Sequence, residues 1–70
     1  MKISEKIRDI RKNAGLTQKE FAKHSGTSQA AVAFWENEKR NPGVIQLKKI
    51  SKAFNIPIME LIECDFNIGE

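Results

Sequence analysis

The chain has 70 residues, 40% hydrophobic and 30% charged, with a mean hydropathy of −0.47 and a net charge of +3. A single core of this length buries only about 60% of the unfolded surface, which excludes a two-domain enzyme. The balance of apolar and charged residues fits a small globule, too polar for a membrane protein and too apolar for a disordered segment.

The only cysteine, Cys64, has no intrachain partner, and the only histidine, His24, cannot build a four-ligand zinc site. Neither a disulfide nor a metal is expected, and both residues read as partly exposed side chains. The N-terminal MKISEKIRDIRK alternates charges with isolated isoleucines and lacks the apolar run of a signal peptide. No stretch approaches the roughly 18 apolar residues of a membrane span, so the expected compartment is a reducing cytoplasm. The charge is uneven: nine basic against five acidic groups in residues 1–40, and three against four in residues 41–70. A basic first half with no cationic amphipathic helix points to nucleic acid over a lipid surface.

Ile3, Ile7, Ile10 and Ala14 recur at helical spacing before Gly15, which predicts a first helix capped by a left-handed glycine. Thr17-Gln18-Lys19-Glu20 has the spacing of a capping box, flanked by Leu16 and Phe21 as a hydrophobic staple, and opens a second helix that stops at Gly26. Only Gly26 and Thr27 precede Ser28, the predicted N-cap of a third helix through Val32 and Trp35 to about Asn37. Pro42 and Gly43 make KRNPG a loop. Val44, Leu47, Ile50 and Phe54 then form a fourth stripe ending at Asn55, and Pro57 opens a short fifth helix through Met59, Leu61 and Ile62. No period-2 run suggests a strand. The predicted fold is an all-α, compact five-helix bundle containing a helix-turn-helix, with residues 1–63 as the domain and residues 64–70 as a C-terminal tail.

Catalytic patterns are missing: there is no glycine-rich phosphate loop, no H-E-x-x-H and no C-x-x-C, so neither an enzyme nor a cofactor is expected. The informative stretch is LTQKEFAKHSGTSQAAVAFWENEKRNP, two helices joined by a tight turn in the basic half. With IRDIRKNAGLTQ before it and LKKISKAFNIPIMELI after it, it resembles the lambda-repressor-like (Xre/Cro) family of helix-turn-helix DNA-binding proteins over roughly residues 3–63. L-T-Q-x-x-(F/L)-A, the glycine turn, a Ser-capped helix ending in W-E-N, and K-R-x-P occur together at the family's spacing. The order and spacing of these pieces carry the resemblance.

On the third helix Val32, Trp35 and Glu36 share one face and Gln29, Ala30, Ala33 and Phe34 the other, so the first set can pack inward while the second meets a groove. Gln29 can bond adenine N6 and N7 through its amide, and the resemblance places it at a base-contacting position. Ala30, Ala31 and Ala33 offer thymine methyls only apolar contact. Phe34 departs from the polar or basic residue usual in the family.

Phosphate contacts are expected from Gln18, at the amide-rich start of the second helix, from Ser28, and from Asn37, Lys39, Arg40 and Asn41 in the following loop. Glu38 stands where the family often has glycine. The resemblance further implies a structural ion pair between Arg11 and Glu36. It also implies a homodimer spanning two half-sites about 34 Å apart. Its interface is expected at Ile58, Met59 and Ile62, extended by Phe66 and Ile68, while Ile56 and Leu61 read as core. The expected function is a sequence-specific, double-stranded DNA-binding transcriptional regulator that represses by occluding a promoter. The alternatives are an antitoxin-like or adaptor module that binds protein through Phe34 and the alanine-rich face, or the DNA-binding head of a larger regulator. Neither a small-molecule ligand nor a membrane partner is expected.

Overall fold

The computed structural model describes residues 1–67 and contains five helices: α1 (Ile3–Asn13), α2 (Gln18–Ser25), α3 (Gln29–Glu36), α4 (Val44–Phe54) and α5 (Ile58–Ile62). Their order and character match the sequence reading, with shifts of a residue at some ends. α1 runs to Asn13 with Ala14 as its C-cap, whose amide still donates to the Ile10 carbonyl at 3.1 Å, and Gly15 takes φ +71° to turn the chain toward α2.

The entry to α2 forms as its spacing predicts. The Glu20 amide donates to Thr17 Oγ1 at 3.1 Å and the Thr17 amide donates to Glu20 Oε1 at 2.8 Å. The Thr17 amide favours the ionised carboxylate, and that backbone bond, then one with the Thr17 side chain, holds Glu20 below the ordinary carboxyl range. α2 ends on Gly26 at φ +74°, and Ser28 caps α3 by accepting from the Ala31 amide at 3.1 Å. Inside this turn the buried Ser25 hydroxyl donates to the Phe21 carbonyl at 2.8 Å, so the crossing has no unpaired hydroxyl.

The core collects one stripe from every helix: Ile3, Ile7 and Ile10 of α1, Phe21 and Ala22 of α2, Val32 and Trp35 of α3, Leu47 and Ile50 of α4, and Leu61 of α5. Phe21 stacks on Phe54 with ring centroids 4.8 Å apart, joining α2 to α4, and His24 lies 5.0 Å from the same Phe54 ring. Ile56 and Ile58 pack against this core half-buried. α4 ends on Asn55 in the left-handed region at φ +54°, a conformation Asn tolerates better than most residues.

Residues past α5 do not simply trail away. Asp65 forms an isolated parallel bridge with Lys2, its amide donating to the Met1 carbonyl at 3.0 Å and its carbonyl accepting from the Ile3 amide at 2.8 Å. Asn67 is buried beyond it. This differs from the expectation of an unpatterned tail, because the segment is held by polar contacts to distant residues that no local periodicity reports. Ile68 lies outside the described residues. Among the described residues, no helix is long and apolar enough to cross a membrane.

Candidate nucleic-acid interface

α3 carries the surface that the sequence singles out. Val32, Trp35 and Glu36 face inward and are buried, whereas Gln29 and Ala30 are exposed and Phe34 is 40% exposed. Ala33 and Ala31 differ from the simple two-face picture: both are half-buried, and Ala31 packs against the core. The outward row is therefore Gln29, Ala30 and Phe34, with Ala33 at its edge.

The back of α3 is pinned by charge. Arg11 Nε donates to Glu36 Oε2 at 2.7 Å and Arg11 Nη2 donates to Glu36 Oε1 at 3.0 Å, a bidentate pair whose carboxylate side chain is 2% exposed. Two further residues join it that the motif reading did not foresee. Arg8 Nη2 donates to the Glu36 carbonyl at 2.9 Å, satisfying a free acceptor at the end of α3, and Gln18 Nε2 donates to Glu36 Oε1 at 3.2 Å. Arg8 precedes Arg11 by three residues, so helical spacing alone could have placed both guanidiniums on one face. Burial acts to raise the Glu36 pKa. The bonds from Arg11 and Gln18 and the charges of Arg11 and Arg8 outweigh it, and the carboxyl lies below its ordinary range. The same hydrogen bond raises the Arg11 pKa.

This geometry revises two of the expected phosphate donors. Gln18 has turned one amide hydrogen inward to Glu36, leaving one for an outside ligand. Asn41 is more fully committed: its Nδ2 donates to the Asn67 carbonyl at 2.8 Å and its Oδ1 accepts from the Asn67 amide at 2.6 Å. It acts as a clasp and, like Gln18, keeps one amide hydrogen for an outside ligand. Asn37, Lys39 and Arg40 are exposed, and the Ser28 hydroxyl, accepting at the cap, can still donate outward. The Arg40 guanidinium carbon lies 5.0 Å from the centroid of the Phe34 ring, a cation–π placement that joins the loop to the outward row. The Phe34 ring thus lies on the surface with Arg40 over it.

Further apolar side chains lie exposed outside α3. Val44 and Ile45, at the start of α4, are 61% and 67% exposed, so Val44 is not the core residue that the fourth stripe suggests. At the other end, Met59 and Ile62 are exposed, as are Phe66 and Met1, while Ile58 is half-buried against the core. Burial of Cys64 beside α5 pushes its thiol pKa up, away from the reactive thiolate.

A helix pair joined by three residues, Gly26 to Ser28, with an outward polar and apolar row and basic residues flanking it is the geometry of a groove-binding unit. The helix-turn-helix family model matches residues 7–61, the whole span from mid-α1 to α5. The chain belongs to the helix-turn-helix family, in its lambda-repressor-like branch. Its helix-turn-helix is 37% identical over 60 residues to an HTH-type transcriptional regulator of Archaeoglobus fulgidus, covering 86% of each chain. It is 37% identical over 62 residues to the HTH-type transcriptional activator BcrR of Enterococcus faecalis, covering 89% of this chain and 30% of that protein. The cryptic phage CTXphi transcriptional repressor RstR of Vibrio cholerae is 32% identical over 69 residues, covering 97% of this chain and 62% of the repressor. The chain thus spans less than a third of the activator and under two thirds of the repressor.

Within this helix-turn-helix, Glu38 sits at φ +61° just after α3, which gives the glycine usual at this position its physical reason. Its carboxylate lies 3.3 Å from Lys2 Nζ in an exposed pair that contributes little. Glu38→Gly is expected to leave stability unchanged or raise it by up to about 1 kcal/mol, because release of left-handed strain offsets the added freedom of the unfolded chain. A urea midpoint that drops instead would show that the ion pair outweighs the backbone.

Proposed function

We propose that this protein binds double-stranded DNA sequence-specifically as a homodimer, reads an inverted repeat through the major groove with α3, and regulates transcription by occluding a promoter. The observation that carries the reading is the outward row of Gln29, Ala30 and Phe34 on a helix whose back is fixed by a buried, bidentate ion pair. A reader must be rigid relative to the surface that grips the backbone, and this one is tied to α1 and α2 together.

In this reading Gln29 bonds adenine through its amide, Ala30 and Ala33 meet thymine methyls, and the Phe34 ring packs on a methyl or sugar. Lys39 and Arg40 neutralise phosphates, joined by Asn37, Ser28 and the remaining Gln18 amide hydrogen. Exposed Met59 and Ile62, with half-buried Ile58 and extended by exposed Phe66, supply the contact with a second copy. The resemblance to named regulators from bacterial, phage and archaeal sources supports this class of function. No cofactor or catalytic step enters it, and a cytoplasmic site of action follows from its DNA target.

Gln29→Ala is expected to weaken binding to the preferred duplex by about 10- to 100-fold and to relax selection at one A·T position per half-site. Because the amide is uncharged, the salt dependence should stay as in the wild type, whereas Lys39→Ala should weaken all sequences alike and lower the salt slope by about one. Fluorescence anisotropy on matched and mismatched duplexes at several salt concentrations separates the two. Equal loss on every sequence for Gln29→Ala would remove it as a reader. The exposed Phe34 ring favours one second reading, a protein-binding module, and failure to bind any duplex would leave that reading standing.

A further inference from the structure

The bridge between Lys2 and Asp65 aims the C-terminal segment under the loop that follows α3. There Asn67, 7% exposed, makes a closed set of contacts with three residues of that region. Its backbone exchanges two hydrogen bonds with the Asn41 carboxamide, at 2.6 and 2.8 Å. Its own Nδ2 donates to the Arg40 carbonyl at 3.0 Å and to the Trp35 carbonyl at 3.4 Å. Two carbonyl acceptors facing one end of the amide leave its orientation no choice, since the reverse would set oxygen against oxygen. Among the described residues Asn67 Oδ1 is buried without a partner, so within them the side chain is held by its donors.

The consequence falls on Arg40. Its amide is 3.4 Å from the Phe34 carbonyl, its carbonyl is held by Asn67, and its guanidinium lies over the Phe34 ring. The backbone of Arg40 is thereby fixed to the last turn of α3 on one side and to the C-terminal segment on the other. Without the clasp Arg40 itself keeps only the long bond from its amide to Phe34 and the contact with the Phe34 ring, while residues 37–39 stay bonded to Ala33, Phe34 and Trp35, so the cation can swing away from the outward row.

On the DNA-binding reading above, we propose that Asn67 is a positioning residue for DNA binding: with Asn41 it clasps the loop after α3 and aims Arg40 at the backbone beside the read bases. Asn67 then belongs to the binding machinery through the loop it holds.

The test is a double-mutant cycle on the full chain. Kd for the preferred duplex is measured over a series of salt concentrations for the wild type, Asn67→Ala, Arg40→Ala and the double variant, at a temperature where circular dichroism shows each one folded. Asn67→Ala should weaken binding about 5- to 20-fold and lower the slope of log Kd against log salt toward that of Arg40→Ala. In the Arg40→Ala background the same substitution should have little further effect, because its action runs through Arg40. Asn41→Ala opens the clasp from the other side and should reproduce the loss, which keeps the test intact if Asn67→Ala does not fold. Equal loss in both backgrounds, or an unchanged slope, would reduce Asn67 to a purely structural role. Wild-type protein that binds no duplex would overturn the DNA-binding reading and this inference with it, whereas wild-type binding with an additive cycle overturns the inference alone.

Discussion

Arg11→Ala is expected to cost about 3–5 kcal/mol of folding free energy, a large share of the roughly 4–10 kcal/mol available to a domain of this size. The Glu36 side chain is 2% exposed, so removing its bidentate partner strands a carboxylate that has almost no access to water. Arg8 cannot replace it well, since its Nε is 3.6 Å away and its side chain is 41% exposed. Glu36→Ala should cost less, because the guanidiniums left behind, at 16% and 41% exposure, can turn toward solvent. The order, Arg11→Ala worse than Glu36→Ala, is the specific result to look for in urea unfolding. The reverse order would mean that the pair is not held as the distances indicate.

The same pair sets a pH dependence. Glu36 titrates below its ordinary value near 4.5, so its ionised form is favoured in the folded state. The stability it contributes is complete above that value and is lost as the pH falls through the lower folded pKa. Wild-type unfolding free energy should therefore drop on acidification below about pH 4.5, and Glu36→Gln should flatten that part of the curve. Identical acid limbs for the two proteins would contradict the assignment.

Phe21→Ala should be comparably damaging, at about 3–5 kcal/mol. The ring is fully buried, and its stack on Phe54, 4.8 Å between centroids, joins α2 to α4. Truncation leaves a cavity between two helices that the short turns prevent from closing together. Because α2 carries the Gln18 bond to Glu36, loosening it should also weaken DNA binding beyond the loss of folded protein. A midpoint shift equivalent to less than about 1.5 kcal/mol, with an unchanged denaturant slope, would show that the core refills the space.

The parts of this architecture that follow local rules were legible in the sequence. The capping box at Thr17 and Glu20, the left-handed Gly26, the Ser28 cap and the isoleucine spacing of α1 each depend on residues within one or two turns, and each is present. What escaped depends on partners far apart in the chain. Asn41 and Asn67 are separated by 26 positions, Gln18 and Glu36 by 18, and neither pair has a periodicity to announce it. Val44 was misplaced for the opposite reason: it fits the apolar spacing of α4 but lies in its first turn, beyond the reach of the core. Phe34 could be assigned to the outward face by helical angle alone, yet the cation that covers it comes from a loop whose path the angle does not describe.

The most direct test of the central claim is selection of bound sequences from a random duplex pool by the purified protein at about 150 mM salt, followed by titration of the enriched site over a range of salt concentrations. A dimer that reads DNA with α3 should select an inverted repeat with half-sites about one helical turn apart and an A·T pair under Gln29, with affinity that falls steeply as salt rises. A pool that shows no enriched motif, with only weak binding indifferent to sequence, would contradict it.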